Sequence, residues 1–248
     1  VHAMRGLERV DEVRIYDGGL PQRRDLPPLG YRLVFSVEGL INEYLEPATA
    51  LRGGRRVEVP ALSEVEALDL PPPLGRCEAG HAAGGLSTMA WTYEGRVGTM
   101  FNKLIRYPGH IAVMRSLGEL GFFGSEPLAL ADGRTVAPRA LAARLLERAF
   151  DHPLEPDLVF VRVVVRGACN GQPIERVADL LDRGDPQAGL TAMMRTTGFP
   201  AAIVARLMAT GQIAPGARPV ERAVPTEPFL QQAAERGLPV HWLETVLG

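Results

Sequence analysis

The sequence predicts an α+β fold: a mixed, largely antiparallel sheet with helices packed on one face. Three observations lead there. Strand-like runs are joined by hairpin signals at Arg52-Gly53-Gly54-Arg55, Asp132-Gly133 and Asn170-Gly171. Helical stripes lie between them, such as Ile111, Met114, Leu117 and Leu120 at i, i+3, i+6 and i+9. No β-α-β-α alternation, linker or internal repeat is visible, so residues 1–248 read as one domain.

In chain order, Val1 to Leu7 reads as the end of a helix stopped by Gly6. Glu12 to Tyr16 alternates as a strand and runs into Asp17-Gly18-Gly19-Leu20-Pro21. The two glycines permit positive φ and close backbone approach, though a plain turn also satisfies the pattern. Residues 22–30 form a loop, Tyr31 to Phe35 a second strand, and Ser36 the N-cap of a helix from Val37 to about Tyr44. Thr49–Leu51 and Arg56–Val59 make a hairpin, and Pro71-Pro72-Pro73 an extended, stiff passage. Gly98 to Tyr107 is a strand, and a helix follows over Ile111 to Leu120. Leu128 to Val136 is a small hairpin, and Pro138 to Phe150 a helix with Leu141, Leu145, Leu146 and Ala149 inward. Leu158 to Ala168 and Ile174 to Leu181 pair around Asn170-Gly171. Leu190 to Ala209 is a long helix with a kink expected at Pro200; Met193, Met194 and Met208 read as core or subunit packing. A helix over Glu227 to Arg236 and a strand over Leu238–Trp242 close the chain.

Composition narrows the function classes. The chain is 46% hydrophobic and 23% charged, enough for a packed core in an ordinary globular protein. A net charge of −2 with interspersed signs gives no footprint for nucleic acid or an anionic membrane. Lys103 is the only lysine, so a lysine-dependent mechanism has one candidate. Cys77 and Cys169 are too few for a metal cluster or disulfide framework, and no metal site is expected. With no membrane-length apolar run and no secretory leader, a cytoplasmic location is expected.

The chemistry gathers at Leu104-Ile105-Arg106-Tyr107-Pro108-Gly109-His110, a strand-to-helix corner. A guanidinium, a phenol and an imidazole meet there beside a helix N-terminus, which favours anions. Glu38 and Asn42, four apart, share a face of the earlier short helix. Arg106 can grip a carboxylate bidentately while Glu38 or Glu43 holds an ammonium group; these are the two handles of an amino acid. Gly84-Gly85-Leu86-Ser87-Thr88 can present N–H groups to an anion or serve as ordinary capping.

Four stretches resemble the carboxy-terminal domain of the saccharopine dehydrogenase-like family. They are Gly18-Gly19-Leu20-Pro21, Phe35-Ser36-Val37-Glu38-Gly39-Leu40-Ile41-Asn42-Glu43-Tyr44, Gly84-Gly85-Leu86-Ser87-Thr88 and Ile105-Arg106-Tyr107-Pro108-Gly109-His110. Within that family the Tyr107–His110 corner is most similar to the lysine 6-dehydrogenases. Thr191 to Pro200 is similar to the family's late helix.

The resemblance implies a substrate-binding and dimerisation domain that follows an amino-terminal Rossmann domain binding NAD or NADP. No strand–G-x-G-x-x-G–helix unit occurs in these residues, so cofactor-binding residues are expected outside them. The abrupt start at Val1 reads as the second domain alone. The activity implied is hydride transfer at a carbon bearing an amino group, with a small amino acid as substrate and a homodimer as assembly. On this carry-over Arg106 anchors the carboxylate and Glu38 the amine, with Asn42 on the same helix face. Tyr107 and His110 are the catalytic candidates, and Gly84, Gly85 and Thr88 close the pocket wall. The competing expectation is a non-catalytic assembly or binding module that keeps the fold without a cofactor domain.

Overall fold

A computed structural model describes all 248 residues, Val1–Gly248. Its centre is a nine-stranded sheet built on β1 (Arg9–Pro21) and β6 (Val97–Arg106), which run parallel. On one side of β1 lie β9 (Asp157–Cys169), β10 (Gln172–Asp182) and β11 (His241–Val246), all antiparallel, while β7 (Leu128–Ala129) and β8 (Thr135–Val136) form a separate small hairpin. The far edge of β6 forks. Its Met100 meets β2 (Ala48–Arg52), which carries β3 (Arg55–Val59), while Lys103 to Arg106 pair with β5 (Gly75–His81), which carries β4 (Glu66–Leu70).

The helices share one side of the sheet. Side chains alternate along a strand. On β6, Met100 and Leu104 point into cores shared with α1 (Val37–Leu45), the short α2 (Met89–Thr92), α3 (His110–Glu119) and α4 (Pro138–Ala149). Phe101 and Ile105 point the other way, joining Tyr16, Leu20, Leu158 and Phe160 in a core made by strands and turns alone. That second face is curled: Tyr16 Oη donates to Glu66 Oε1 at 3.2 Å, from β1 to β4, which are not neighbours. Further along, α5 (Ala192–Ala209) packs on β9 and on α7 (Thr226–Glu235), preceded by the short α6 (Val220–Ala223). The predicted fold class is therefore the observed one. No helix is long and apolar enough to cross a membrane.

Several local readings change. Asp17 to Pro21 is no turn; it continues β1, paired with β9 out to Pro21 and Asp157. The glycines serve close approach, since a methyl on Gly18 would lie 2.7 Å from the Ile105 carbonyl oxygen. Tyr31 to Phe35 is extended but joins no ladder; Leu33 N–H bonds only the Phe150 carbonyl. The triple proline forms the turn between β4 and β5, and β5 itself, rich in glycine and charge, lacks a strand pattern in the sequence. Residues 1–7 hold a 3-10 turn at His2–Met4. The register of α4 differs: Ala142 and Ala143 are buried, whereas Leu141 and Leu145 are exposed. α5 runs through Pro200 as one helix, with Met194 and Met208 exposed. β11 lies three residues later than the expected terminal strand.

Candidate functional site

The parallel pairing of β1 and β6 builds the site. Asp17 stands opposite Leu104, and Ile15 opposite Asn102. Asp17, Asn102, Leu104 and Arg106 therefore share the helix side of the sheet. They line a cavity of about 330 Å³, closed by Glu43 of α1, Phe35, Met193 of α5 and the 82–85 segment. Asp157 fixes α5 over it, its two carboxylate oxygens accepting from the Ala192 and Met193 N–H groups at 2.8 and 3.0 Å. This satisfies two of the unpaired donors at a helix start. Glycine is needed where the walls close. A methyl on Gly19 would lie 2.5 Å from Met193 Cε, and one on Gly85 2.0 Å from Asn102 Oδ1. A larger cleft of about 780 Å³ adjoins, and Phe35 and Met193 line both.

Arg106 is 3% exposed and enters the cavity from its floor. Its Nε donates to Tyr44 Oη and its Nη1 to the Ile105 carbonyl, both at 2.9 Å. The guanidinium carbon lies 4.9 Å from the Tyr31 ring centre and 5.7 Å from that of Tyr44, within cation–π range. Nη2 has no partner within the protein. Two carboxyls, Asp17 and Glu43, share the cavity without a hydrogen bond to this cation. Asp17 Oδ1 accepts from Asn102 Nδ2 at 2.5 Å. Burial pushes the Asp17 pKa up, against the Asn102 hydrogen bond and the Arg106 charge. Burial also raises Glu43, with Arg106 pulling it back and Asp17 adding to the rise. One fixed cation faces two carboxyls reluctant to ionise together. That arrangement can take a ligand bearing both a carboxylate and an ammonium group.

Of the residues singled out in the sequence, Arg106, Gly84 and Gly85 line this cavity. Glu38 and Asn42 do not: both face α4, where Arg139 Nη2 donates to Glu38 Oε2 at 2.8 Å and Asn42 Oδ1 at 2.6 Å. Glu43, the other acid considered for the amine, is the one turned inward, because one helical residue rotates the side chain by about 100°. Thr88 Oγ1 bonds Glu221 at 2.9 Å near α6. Tyr107 points into the strand-only core, its Oη bonding the Pro21 carbonyl at 2.9 Å. His110 is 1% exposed, behind Tyr44 rather than in the cavity. Burial, and then the Arg106 charge, push its pKa down to about 3, so it does not titrate near neutrality. The N-terminus of α3 is no open anion site either, for Glu78 Oε1 already accepts from Ile111 N–H at 2.7 Å. Lys103, the lone lysine, lies on the other face with its Nζ on the Glu64 carbonyl and Glu66.

Sequence reasoning missed Asp17 and Asn102. Asp17-Gly18-Gly19 was legible as a place for close approach, but only the pairing of β1 with β6 shows that Asp17 meets Asn102.

The fold and cavity define an α+β domain in which a buried arginine and two carboxyls line one cavity. The chain belongs to the family described as Saccharopine dehydrogenase C-terminal domain, whose model matches residues 1–238. Its structure is similar to that of apo saccharopine dehydrogenase (L-Glu forming) from Saccharomyces cerevisiae, with a TM-score of 0.68 and 18% identity. That match covers 97% of this chain and 68% of the yeast chain, and at this identity it speaks for the fold. The family's dehydrogenases use NAD(P), bound by an amino-terminal domain. These residues do not form such a site. The parallel strands β1 and β6 are joined through four other strands instead of one crossover helix, and the helix start after β6 holds Glu78.

Proposed function

We propose that this chain is the substrate-binding and dimerisation part of an NAD(P)-dependent dehydrogenase acting on a carbon–nitrogen bond of an amino acid. The observation that carries the reading is the unpaired Nη2 edge of buried Arg106 in one cavity with Asp17 and Glu43. Arg106 takes the substrate carboxylate through parallel N–H···O bonds. Asp17 and Glu43 hold the ammonium group, and an ionised member of the pair can accept the proton that an amine must lose before its carbon is oxidised. Asn102 keeps the Asp17 carboxyl aimed at that position. The cofactor comes from outside these residues. Lysine, saccharopine and related diamino or opine-type amino acids are the substrates in view, from the resemblance of the Tyr107–His110 stretch to the lysine 6-dehydrogenases; neither residue itself reaches the cavity.

Assembly is proposed as a homodimer through the helix-free side of β9, β10 and β11. Val164 and Val177 face each other there, and Leu243, 64% exposed, extends their row on β11. An apolar row of this kind on an outer sheet face suits a symmetric partner.

The test is a turnover assay of the complete gene product on an amino-acid panel with NAD and NADP. Turnover of a diamino or opine-type substrate, with kcat/KM lowered about a hundredfold by Arg106→Gln, is expected. A folded protein inactive on the whole panel supports the assembly-module reading instead.

A further inference from the structure

We propose that Tyr44, oriented by His110, is a positioning residue that fixes which edge of Arg106 the cavity offers to a carboxylate. The inference rests on the reading of Arg106 as the carboxylate anchor and deepens it. A guanidinium carries five N–H donors. In Arg106 the Nε–H is taken by Tyr44 Oη and one Nη1–H by the Ile105 carbonyl. Three remain, one on Nη1 and two on Nη2. The side-on fork of Nε and Nη2 is thereby closed, which leaves Nη2 and the remaining Nη1–H as the donors available to a carboxylate.

Ring stacking alone does not set this choice, because a planar cation over an aromatic face can turn in its own plane. The phenol oxygen does. Tyr44 Oη accepts from Arg106 and lies 2.9 Å from His110 Nε2; the phenol hydrogen is assigned to that nitrogen, because the Leu29 carbonyl beside the imidazole favours a proton on the other ring nitrogen. His110 can accept there only with its own proton on Nδ1. The Leu29 carbonyl lies beside the imidazole, and Nδ1 has no partner in full hydrogen-bond geometry. Tyr31 and Phe150 pack against the imidazole, with ring centres 5.0 and 6.3 Å away, and exclude water from it. A neutral, buried acceptor is what keeps the Tyr44 hydroxyl from turning its hydrogen toward Arg106. The local sequence makes the arrangement compact. Tyr44 follows the cavity acid Glu43 on α1, and Gly109, with φ of +96°, turns the chain from Arg106 to His110.

Two measurements test this. The first needs no ligand: nitrogen-15 spectra of the complete gene product labelled at arginine and histidine. In the unmodified protein the Arg106 Nε–H should exchange slowly, and His110 should keep its proton on Nδ1 between about pH 5 and 8. Tyr44→Phe should speed Nε–H exchange while the fold is retained. Unchanged exchange in Tyr44→Phe, or a proton on His110 Nε2, overturns the proposal. The second compares L-lysine and saccharopine with cadaverine, which lacks the carboxylate. Tyr44→Phe should raise KM about tenfold for a carboxylate substrate, with kcat nearly unchanged and cadaverine unaffected. Added to Arg106→Gln, it should cost nothing more. If Arg106→Gln is costly and Tyr44→Phe simply adds to it, the positioning role fails while the site stands. If Arg106→Gln is silent, the site reading itself fails, and this inference with it.

Discussion

Asn102 Nδ2 donates a 2.5 Å hydrogen bond to Asp17 Oδ1, tying β6 to β1 along the floor of the cavity. The bond depends on the one parallel pairing in the sheet, and Gly85 leaves the space for it. Gly85→Ala would set a methyl 2.0 Å from Asn102 Oδ1 and force the amide away. We expect a loss of about 1–3 kcal/mol of stability from the displaced buried hydrogen bond, measured by denaturant unfolding. A change below about 0.5 kcal/mol would mean that the loop yields instead.

Asp17→Asn separates charge from shape, since the amide oxygen can still accept from Asn102. For an acid whose folded pKa is raised, the unfolded chain ionises first as pH climbs. The native state then binds more protons than the unfolded state, and stability falls with rising pH between the two pKa values. Asp17→Asn removes this cost, so its melting temperature at pH 7 should exceed that of the unmodified protein. Its kcat/KM should drop by about one to two decades with the charged hydrogen bond to the ammonium group. A lower melting temperature at neutral pH would contradict this.

His110 carries the opposite sign. Its folded pKa of about 3 lies below the ordinary value, so the unfolded chain binds more protons as pH falls. The stability contributed by neutral His110 is complete above about pH 6.5 and is lost progressively toward pH 3, on the order of 3–5 kcal/mol in all. His110→Gln should flatten that part of the stability–pH curve. Any activity limb near neutrality should survive the substitution, because His110 does not titrate there.

Arg106→Lys keeps a charge but not the fork. Lysine cannot serve Tyr44, Ile105 and a substrate carboxylate from one planar group. In the complete gene product kcat/KM should fall by about one to two decades, with the thermal transition still cooperative. Activity within about twofold of the original would refute the carboxylate role.

Dimerisation is tested at Leu243, the exposed end of the apolar row on β10 and β11. Sedimentation should show a dimer at micromolar concentration for the unmodified protein and a monomer for Leu243→Arg. A monomer in both cases would exclude this face.

The sequence by itself determined the class of fold and most of its elements. Periodicity and turn chemistry are local, so Ser36 capping α1, the Asn170-Gly171 hairpin and the α3 stripe through Ile111 and Met114 could all be read directly. It also pointed to Arg106 and to Gly84-Gly85. Only the tertiary structure decided the rest of the cavity. Glu38, Asn42 and Glu43 are equally acidic or polar on one short helix, and the packing of α4 turned the first two toward Arg139. Tyr107 and His110 closely follow Arg106 in sequence, yet strand alternation sends Tyr107 to the other face and α3 buries His110 behind Tyr44. Asp17 and Asn102 are 85 residues apart. Their meeting depends on the pairing of β1 with β6, and because four other strands lie between these two in the chain, no connecting turn sets their register.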